Sequence, residues 1–275
     1  MDRVVSYEQV QSFVWDIRNL RQGFVTNFFW DERKHPYWVE ARNLFFGKED
    51  HCYLLLHQNG HFSNLFYIAT DMGAVAEALR RTVLETDSVI DIVSKKDGQE
   101  ETEILKGAGF EPYRQLFRMS HIGQFTDNSW EEPEGVTLGE EADAEQVYDA
   151  LQQGFDPLCE QLPSMQEVKD YIQRRQLLVV RDGKTLCGFL IFELAGQTSW
   201  YLRYWYTVPE YRNRKVGARL LKAALLKCRD TRRQQLWVIS DNENAIRRYE
   251  HYGFKRETVT DYVMIKYRQD ERKDC

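Results

Sequence analysis

The stretch Tyr206-Thr207-Val208-Pro209-Glu210-Tyr211-Arg212-Asn213-Arg214-Lys215-Val216-Gly217-Ala218-Arg219-Leu220-Leu221 decides the fold. It reads as a strand that runs into a tight loop and opens directly into an amphipathic helix. Pro209 ends the strand because it has no N–H to give to a ladder. Gly217, without a Cβ, permits a close backbone approach. Leu220, Leu221, Ala224, Leu225 and Cys228 recur at helical spacing and form one buried face. The backbone N–H groups from Arg212 to Ala218 therefore project from a helix N-terminus, the positive end of its dipole. Arg212, Arg214 and Lys215 add cations there, which weakens the helix unless an anion is present. That cost points to a phosphate-bearing ligand. The same residues alone also suit a solvated basic turn before a surface helix.

A second segment supports the ligand reading. Gln235-Leu236-Trp237-Val238-Ile239-Ser240 is a short apolar strand pattern. Asp241-Asn242-Glu243-Asn244 supplies N-cap residue types, and Ala245 to Tyr252 makes a short helix. Gly253 stops it in the left-handed role of a glycine just past a helix end. Phe254 begins the next strand.

With this order of elements, the chain from about Val136 to Tyr267 resembles the GNAT superfamily of acyl-CoA-dependent N-acyltransferases. The family's phosphate loop reads Arg/Gln-x-x-Gly-x-Gly/Ala, and here it is Arg212-Asn213-Arg214-Lys215-Val216-Gly217. The second family block, Asn-x-x-Ala-x-x-x-Tyr-x-x-x-Gly-Phe, is matched by Asn242, Ala245, Tyr249, Gly253 and Phe254. Lys215 stands where the family has its first glycine, so either it keeps φ negative or the loop is strained.

The resemblance implies an α/β fold, each domain a twisted mixed β-sheet flanked by helices. It implies acetyl-CoA, with coenzyme A phosphates held by Arg212, Asn213, Arg214, Lys215, Val216, Gly217 and Ala218. Tyr206, Thr207 and Val208 would form the splayed strand edge that pairs with pantetheine, and Asn242 and Ala245 would also touch the cofactor. Tyr249 takes the place of the general acid toward the leaving sulfur. Ala245, Ile246, Tyr249 and Tyr252 also share one helix face, where a tyrosine serves equally as core. No acid lies within Trp200 to Val208, where several family members keep a glutamate. Glu193, near the end of the preceding strand, is the candidate general base, reaching the amine through water; a strand-end glutamate equally suits a solvated position, and a neutral fraction of the amine would then suffice. The residues show no nucleophile triad and no metal cluster.

Composition agrees with an intracellular enzyme. A chain of 275 residues predicts two domains, each with its own core. Hydrophobic residues make up 43%, too scattered for a membrane span, and no charged-then-apolar leader opens the sequence. Cys52, Cys159, Cys187, Cys228 and Cys275 are widely spaced and read as free thiols in the reducing cytoplasm. A net charge of −6 disfavours a nucleic-acid partner and makes the basic loop a local feature.

In the first half, Val10, Phe13, Val14, Ile17 and Leu20 predict a helix, and Tyr37 to Phe46 a second. Cys52–His57 and Phe62–Thr70 predict a hairpin through Asn59-Gly60. A helix over 73–84, a strand over 89–93, a short helix over 102–106, Gly109-Phe110 and a strand near 116–119 follow. That order repeats the second half, with Gly109-Phe110 laid on Gly253-Phe254 and Leu105 where Tyr249 stands. The helix at Gly73 is preceded by Asp71, which repels phosphate. These features predict a degenerate GNAT-like domain over 1–125 that cannot hold the cofactor; an unrelated α/β domain is the alternative. Residues 126–135 read as an acidic linker, and 136–275 as the acyltransferase domain. In the latter, Glu140–Gln152 and Met165–Arg175 predict helices, and the resemblance implies that the loop between them, with Phe155, Asp156, Pro157 and Cys159, covers the acceptor.

The expected function is transfer of an acetyl or acyl group from acetyl-CoA to a primary amine of a small molecule or peptide. The alternative is a non-catalytic acyl-CoA-binding or regulatory protein on the same fold. The oligomeric state is not readable from the sequence.

Overall fold

The computed structural model describes residues 1–124, 131–196 and 198–268. The chain divides into two compact units, Met1–Leu116 with the chain from Thr258 onward, and Phe117–Glu257. The first contains β1 (Asp2–Arg3), α1 (Tyr7–Asn19), β2 (Val25–Thr26), α2 (His35–Glu40), β3 (Leu44–Glu49), β4 (Cys52–Asn59), β5 (Phe62–Ala69), α3 (Met72–Arg81), β6 (Asp87–Ser94), α4 (Gln99–Lys106) and the start of β7 (Glu111–Ile122). The second contains the rest of β7, then β8 (Val136–Leu138), α5 (Ala144–Gly154), α6 (Pro157–Glu160), α7 (Met165–Gln173), β9 (Leu177–Asp182), β10 (Thr185–Ala195), β11 (Ser199–Thr207), α8 (Val216–Lys227), β12 (Arg233–Ile239) and α9 (Glu243–His251). The last strand, β13 (Lys255–Lys266), starts in the second unit and ends in the first.

The expected division placed everything from residue 136 in one domain. Instead Thr260–Lys266 pairs antiparallel with Ser88–Ser94 of β6, and buried Met264 joins the first unit's core. Residues 126–130 of the expected linker lie outside the described residues. A second difference concerns the helix expected over 37–46. Only His35–Glu40 is helical; Arg42 turns at φ 58, and Leu44–Glu49 pairs with Cys52–His57 of β4. The apolar run Leu44-Phe45-Phe46 suits helix or strand locally, and the partner strand decides.

In the second unit the sheet order is β7-β12-β11-β10-β9-β8. β8, β9, β10 and β11 are antiparallel neighbours, whereas β11 and β12 are parallel, so the sheet is mixed. Both faces of β10 are covered. Cys187, Leu190 and Phe192 pack with α8, while Leu186, Phe189 and Ile191 pack with α5 and α7. Burial on both faces is why β10 reads as a continuous apolar run.

β11 carries the irregularity that shapes the site. Its partners on β10 step from Ile191–Tyr204 to Phe192–Leu202, leaving Arg203 as an extra residue. Such a bulge shifts the side-chain alternation by one. Before it, Trp200 and Leu202 face the α8 side; after it, Tyr204 and Tyr206 face the α5–α7 side. Pairing of β11 with β12 stops at the same point: Ser199 to Leu202 pair with Arg233 to Leu236, and the two strands separate beyond.

The first unit repeats this plan. β4 and β5 are antiparallel, β5 and β6 are parallel only from Phe62–Asp87 to Leu65–Ile90, and α3 connects them. The end of α4 matches the end of α9 bond for bond. Phe110 N–H donates to the Leu105 carbonyl at 3.1 Å, as Phe254 N–H does to Tyr249 at 3.1 Å, and Gly109 and Gly253 have φ 88 and 83. Past Leu65, however, the gap is filled by the chain itself. β2 pairs with β5 through Val25–Ala69 and Thr26–Ile68. The Asn27 amide donates to the carbonyls of Leu65 (3.4 Å) and Asp91 (3.1 Å) and accepts from Tyr67 N–H (2.7 Å). The Asp71 carboxylate caps α3, accepting from Ala74 N–H at 2.9 Å.

Candidate active site

The separation of β11 from β12 opens a cavity of about 920 Å³ within the second unit. Its floor is the start of α8. A 3₁₀ turn, Pro209–Tyr211, leads from β11 into the loop, and Lys215 is the N-cap residue, in the left-handed region at φ 58 and ψ 15. Asn213 is left-handed too, at φ 68. The first amide returned to the helix is Arg219 N–H, bonded to the Lys215 carbonyl at 3.0 Å. The amides of Val216, Gly217 and Ala218 precede it and are the orphan donors of a helix start. Gly217 lets α8 lie close on β11: a Cβ there would meet Thr207 Oγ1 at 3.1 Å and the Trp205 ring at 3.2 Å. The Gly217 carbonyl accepts from Trp205 Nε1 at 3.1 Å, which locks that approach.

Arg212 and Lys215 line the cavity near this helix end, and Arg203, Arg247 and Arg248 line it elsewhere. Among the described lining residues Glu160 is the one carboxylate. In a chain of net charge −6 this is a local concentration of positive potential. From the β12 side, Asn242 caps α9, its Oδ1 accepting from Ala245 N–H at 3.1 Å. One turn on, Tyr249 lines the cavity, 6% exposed, with its ring centroid 5.5 Å from that of Trp205 and 5.9 Å from Phe254. Burial pushes its phenol well above the ordinary range; Glu160 adds to the shift and Arg248 opposes it. Tyr249 is therefore a protonated donor throughout the physiological range.

The α5–α6 connection supplies a further part of the lining. Gly154 abuts the Tyr206 ring, where a Cβ would sit 2.4 Å from the nearest ring atom, and Phe155 packs edge-on against Tyr204 at 5.5 Å. Glu160 ends α6 and is half-buried. Burial pushes its carboxyl up to about 7; the hydrogen bond from Asp156 N–H lowers it and the Asp156 charge raises it. A carboxyl that titrates near neutrality, in one cavity with a protonated phenol and a cationic helix start, can take a proton while the phenol gives one.

Comparison with known proteins agrees with this fold. Residues 144–254 match the model of the acetyltransferase (GNAT) family. This segment is a GNAT domain. A search of curated proteins gives no match. Among solved structures, a GCN5-related N-acetyltransferase from Sphaerobacter thermophilus superposes with a TM-score of 0.55 at 14% identity, over 80% of this chain and 77% of that one. A GCN5-related N-acetyltransferase from Kribbella flavida gives 0.55 at 14% identity, over 82% and 90%. A tandem GNAT protein from the clavulanic acid biosynthesis pathway gives 0.53 at 13% identity, over 80% of each. At these identities the likeness is one of fold.

The GNAT domain brings together most of the residues that the sequence singles out. Tyr206, Thr207, Arg212, Asn213, Lys215, Val216, Gly217, Ala218, Asn242, Ala245 and Tyr249 all line the cavity. Val208 and Arg214 do not line it; Arg214 lies over the Tyr211 ring, 5.0 Å from its centroid. Nor does Glu193, which accepts from the Tyr171 hydroxyl at 2.5 Å and pairs with Arg203 at 3.5 Å. Sequence reasoning missed Glu160. Its signal was weak: a single acid at the end of the Asp156-Pro157-Leu158-Cys159-Glu160 run, inside the connection already expected to cover the acceptor. Among the described residues no helix is long and apolar enough to cross a membrane.

Proposed function

We propose that the GNAT domain transfers an acetyl group from acetyl-CoA to a primary amine of a small molecule or peptide, by direct attack of the amine on the thioester. One observation carries the reading: the gap between β11 and β12 runs from the orphan amides of α8 to the Tyr249 phenol. The donor set fits the ligand. Val216, Gly217 and Ala218 offer N–H groups, and Arg212 and Lys215 offer charge, to a diphosphate. The unpaired edge of β11 over Tyr206 and Thr207 offers backbone hydrogen bonds to the pantetheine arm, and an N–H aimed at the thioester oxygen is worth roughly 3–4 kcal/mol in other enzymes. Bound acetyl-CoA supplies the activated acyl carbon. Tyr249 then donates toward the leaving sulfur. A thiol of pKa about 8.5 leaves without much help, so the phenol acts chiefly by hydrogen bonding to the developing thiolate.

We read the first unit as a GNAT-like domain that has lost its ligand. Asn27 and β2 occupy its strand gap, and Asp71 places a carboxylate at the helix start where the second unit has Lys215. The buried thiols Cys52, Cys187 and Cys228 are free, which fits the cytoplasm.

Coenzyme A at 100 times its Kd should stabilise the protein by about 2.7 kcal/mol, read as a raised melting temperature. Arg212→Glu should abolish that shift. Tyr249→Phe should keep it while lowering kcat; unchanged turnover would remove Tyr249 from the mechanism. The left-handed Lys215 favours a second reading, an acyl-CoA-binding protein without catalysis. The same shift, with no thiol released in the presence of any amine, would identify it.

A further inference from the structure

We propose that Glu160 is the catalytic base of this cleft, accepting a proton from the attacking amine. The inference rests on the transferase reading above and adds the residue that the reading lacks. Glu160 lines the same cavity as Tyr249, and its charge acts on the Tyr249 phenol, so an acceptor bound in this cleft lies within the field of both groups.

Its position is fixed from three sides. Glu160 Oε2 accepts from Asp156 N–H at 2.8 Å, closing α6 on itself, while Asp156 Oδ1 accepts from Leu158 N–H at 3.0 Å. Gln161 ends the helix in the left-handed region at φ 42. The buried Tyr204 hydroxyl lies 2.8 Å from the Gln161 carbonyl and 3.2 Å from that of Glu160, and donates across this pair. Tyr204 reaches α6 only because the bulge at Arg203 turns the following even-numbered side chains toward α5 and α7. The irregularity that opens the cleft therefore also anchors the carboxylate over it. The competing acid, Glu193, is spent on Tyr171 and Arg203.

The charged and titratable groups facing Glu160 are Asp156 from its own turn, Tyr204 from β11 and Tyr249 from α9, with Arg203 lining the same cavity. Burial and Asp156 raise the carboxyl to about 7, where a base both holds a useful charged fraction and accepts protons well.

Glu160 takes one proton from the substrate ammonium, freeing the lone pair that forms the C–N bond. Tyr249 gives its proton to the sulfur as the C–S bond breaks, and the phenolate is restored by the remaining acidic proton on the adduct nitrogen. Glu160 then releases its proton to solvent. The products are the amide and the free thiol.

The test is thiol release from acetyl-CoA with spermidine, glucosamine, lysine and a tripeptide bearing a free N-terminus. In the full chain, kcat/KM should rise with pH through a limb near 7. Glu160→Gln should lower it about 10²–10⁴-fold at neutral pH and remove that limb, while Glu160→Asp retains the limb at reduced rate. The coenzyme A melting shift should be the same in all three, showing a folded protein with an intact donor site. An active wild type with Glu160→Gln within threefold of it and an unchanged limb would overturn the assignment of Glu160 alone. A wild type that releases no thiol with any of the amines would overturn the transferase reading, and this proposal with it.

Discussion

At φ 58 and ψ 15, Lys215 occupies backbone space that costs an L side chain about 1–2 kcal/mol. A glycine there would remove that cost and lose about 0.5–1 kcal/mol to its greater freedom in the unfolded chain. Lys215→Gly should therefore leave stability equal or higher by up to about 1.5 kcal/mol. Lys215→Val, β-branched in the same conformation, should lower it by more than about 1 kcal/mol. Urea unfolding of both variants checks this, and equal stability of the two would show that the left-handed N-cap is not populated. Tyr249, Asn242 and Arg212 belong to two contiguous blocks whose spacing fixes a helix face, so their meeting in one cavity was legible. Glu160 and Glu193 are single acids, and their roles depend on burial and partners that no local pattern encodes. Glu193 stands nearer to the aromatic strand in sequence, yet Tyr171 and Arg203 claim it.

Among the elements, strands and helices with strong periodicity were readable, including the Asn59-Gly60 hairpin, where Gly60 has φ 64 as its turn requires. The bulge in β11 was not. Trp200 to Tyr206 is an aromatic-rich run interrupted only by Leu202 and Arg203, with no break that marks a bulge, and the extra residue exists only relative to β10. The same holds for the tie made by Glu257. Its carboxylate binds Arg118 of β7 at 2.6 Å and Arg233 of β12 at 2.8 Å, joining three strands from one position at the start of β13. Burial pushes this carboxyl up, but hydrogen bonds from Ser120, Arg233 and Arg118 outweigh burial and hold it down at about 2. Because the folded value lies below the unfolded one, the stabilisation is complete above about 4.5 and is lost as pH falls toward 2. Glu257→Gln should therefore destabilise the protein at neutral pH, by on the order of 3 kcal/mol at most, and by much less near pH 2. Denaturant midpoints at the two pH values test it; an equal loss at both would assign the effect to packing.

For the molecule as a whole, two units of similar plan raise the question of how many copies of the proposed ligand the chain can hold. The likeness of the two units extends to hydrogen bonds, from the Leu105–Phe110 and Tyr249–Phe254 closures to the four-pair parallel contacts of β5–β6 and β11–β12. It was legible in sequence through Gly109-Phe110, whereas the return of the chain to the first unit at Thr258 was not, since β13 reads as one uninterrupted strand. What separates the units is what fills the strand gap. In the first, Asn27 satisfies backbone groups of both β5 and β6 and β2 takes the edge that a ligand would use, so binding there would first have to break those bonds. Asp71 also sets a negative charge at the start of α3, where a phosphate would sit. Coenzyme A should accordingly bind with a stoichiometry of one per chain, and Arg212→Glu should reduce this to none, since repulsion at α8 is not compensated elsewhere. Isothermal calorimetry decides the matter. Two sites in the wild type, or one surviving in Arg212→Glu, would mean that the gap between β5 and β6 opens and that Asn27 is a displaceable plug rather than a permanent part of the fold.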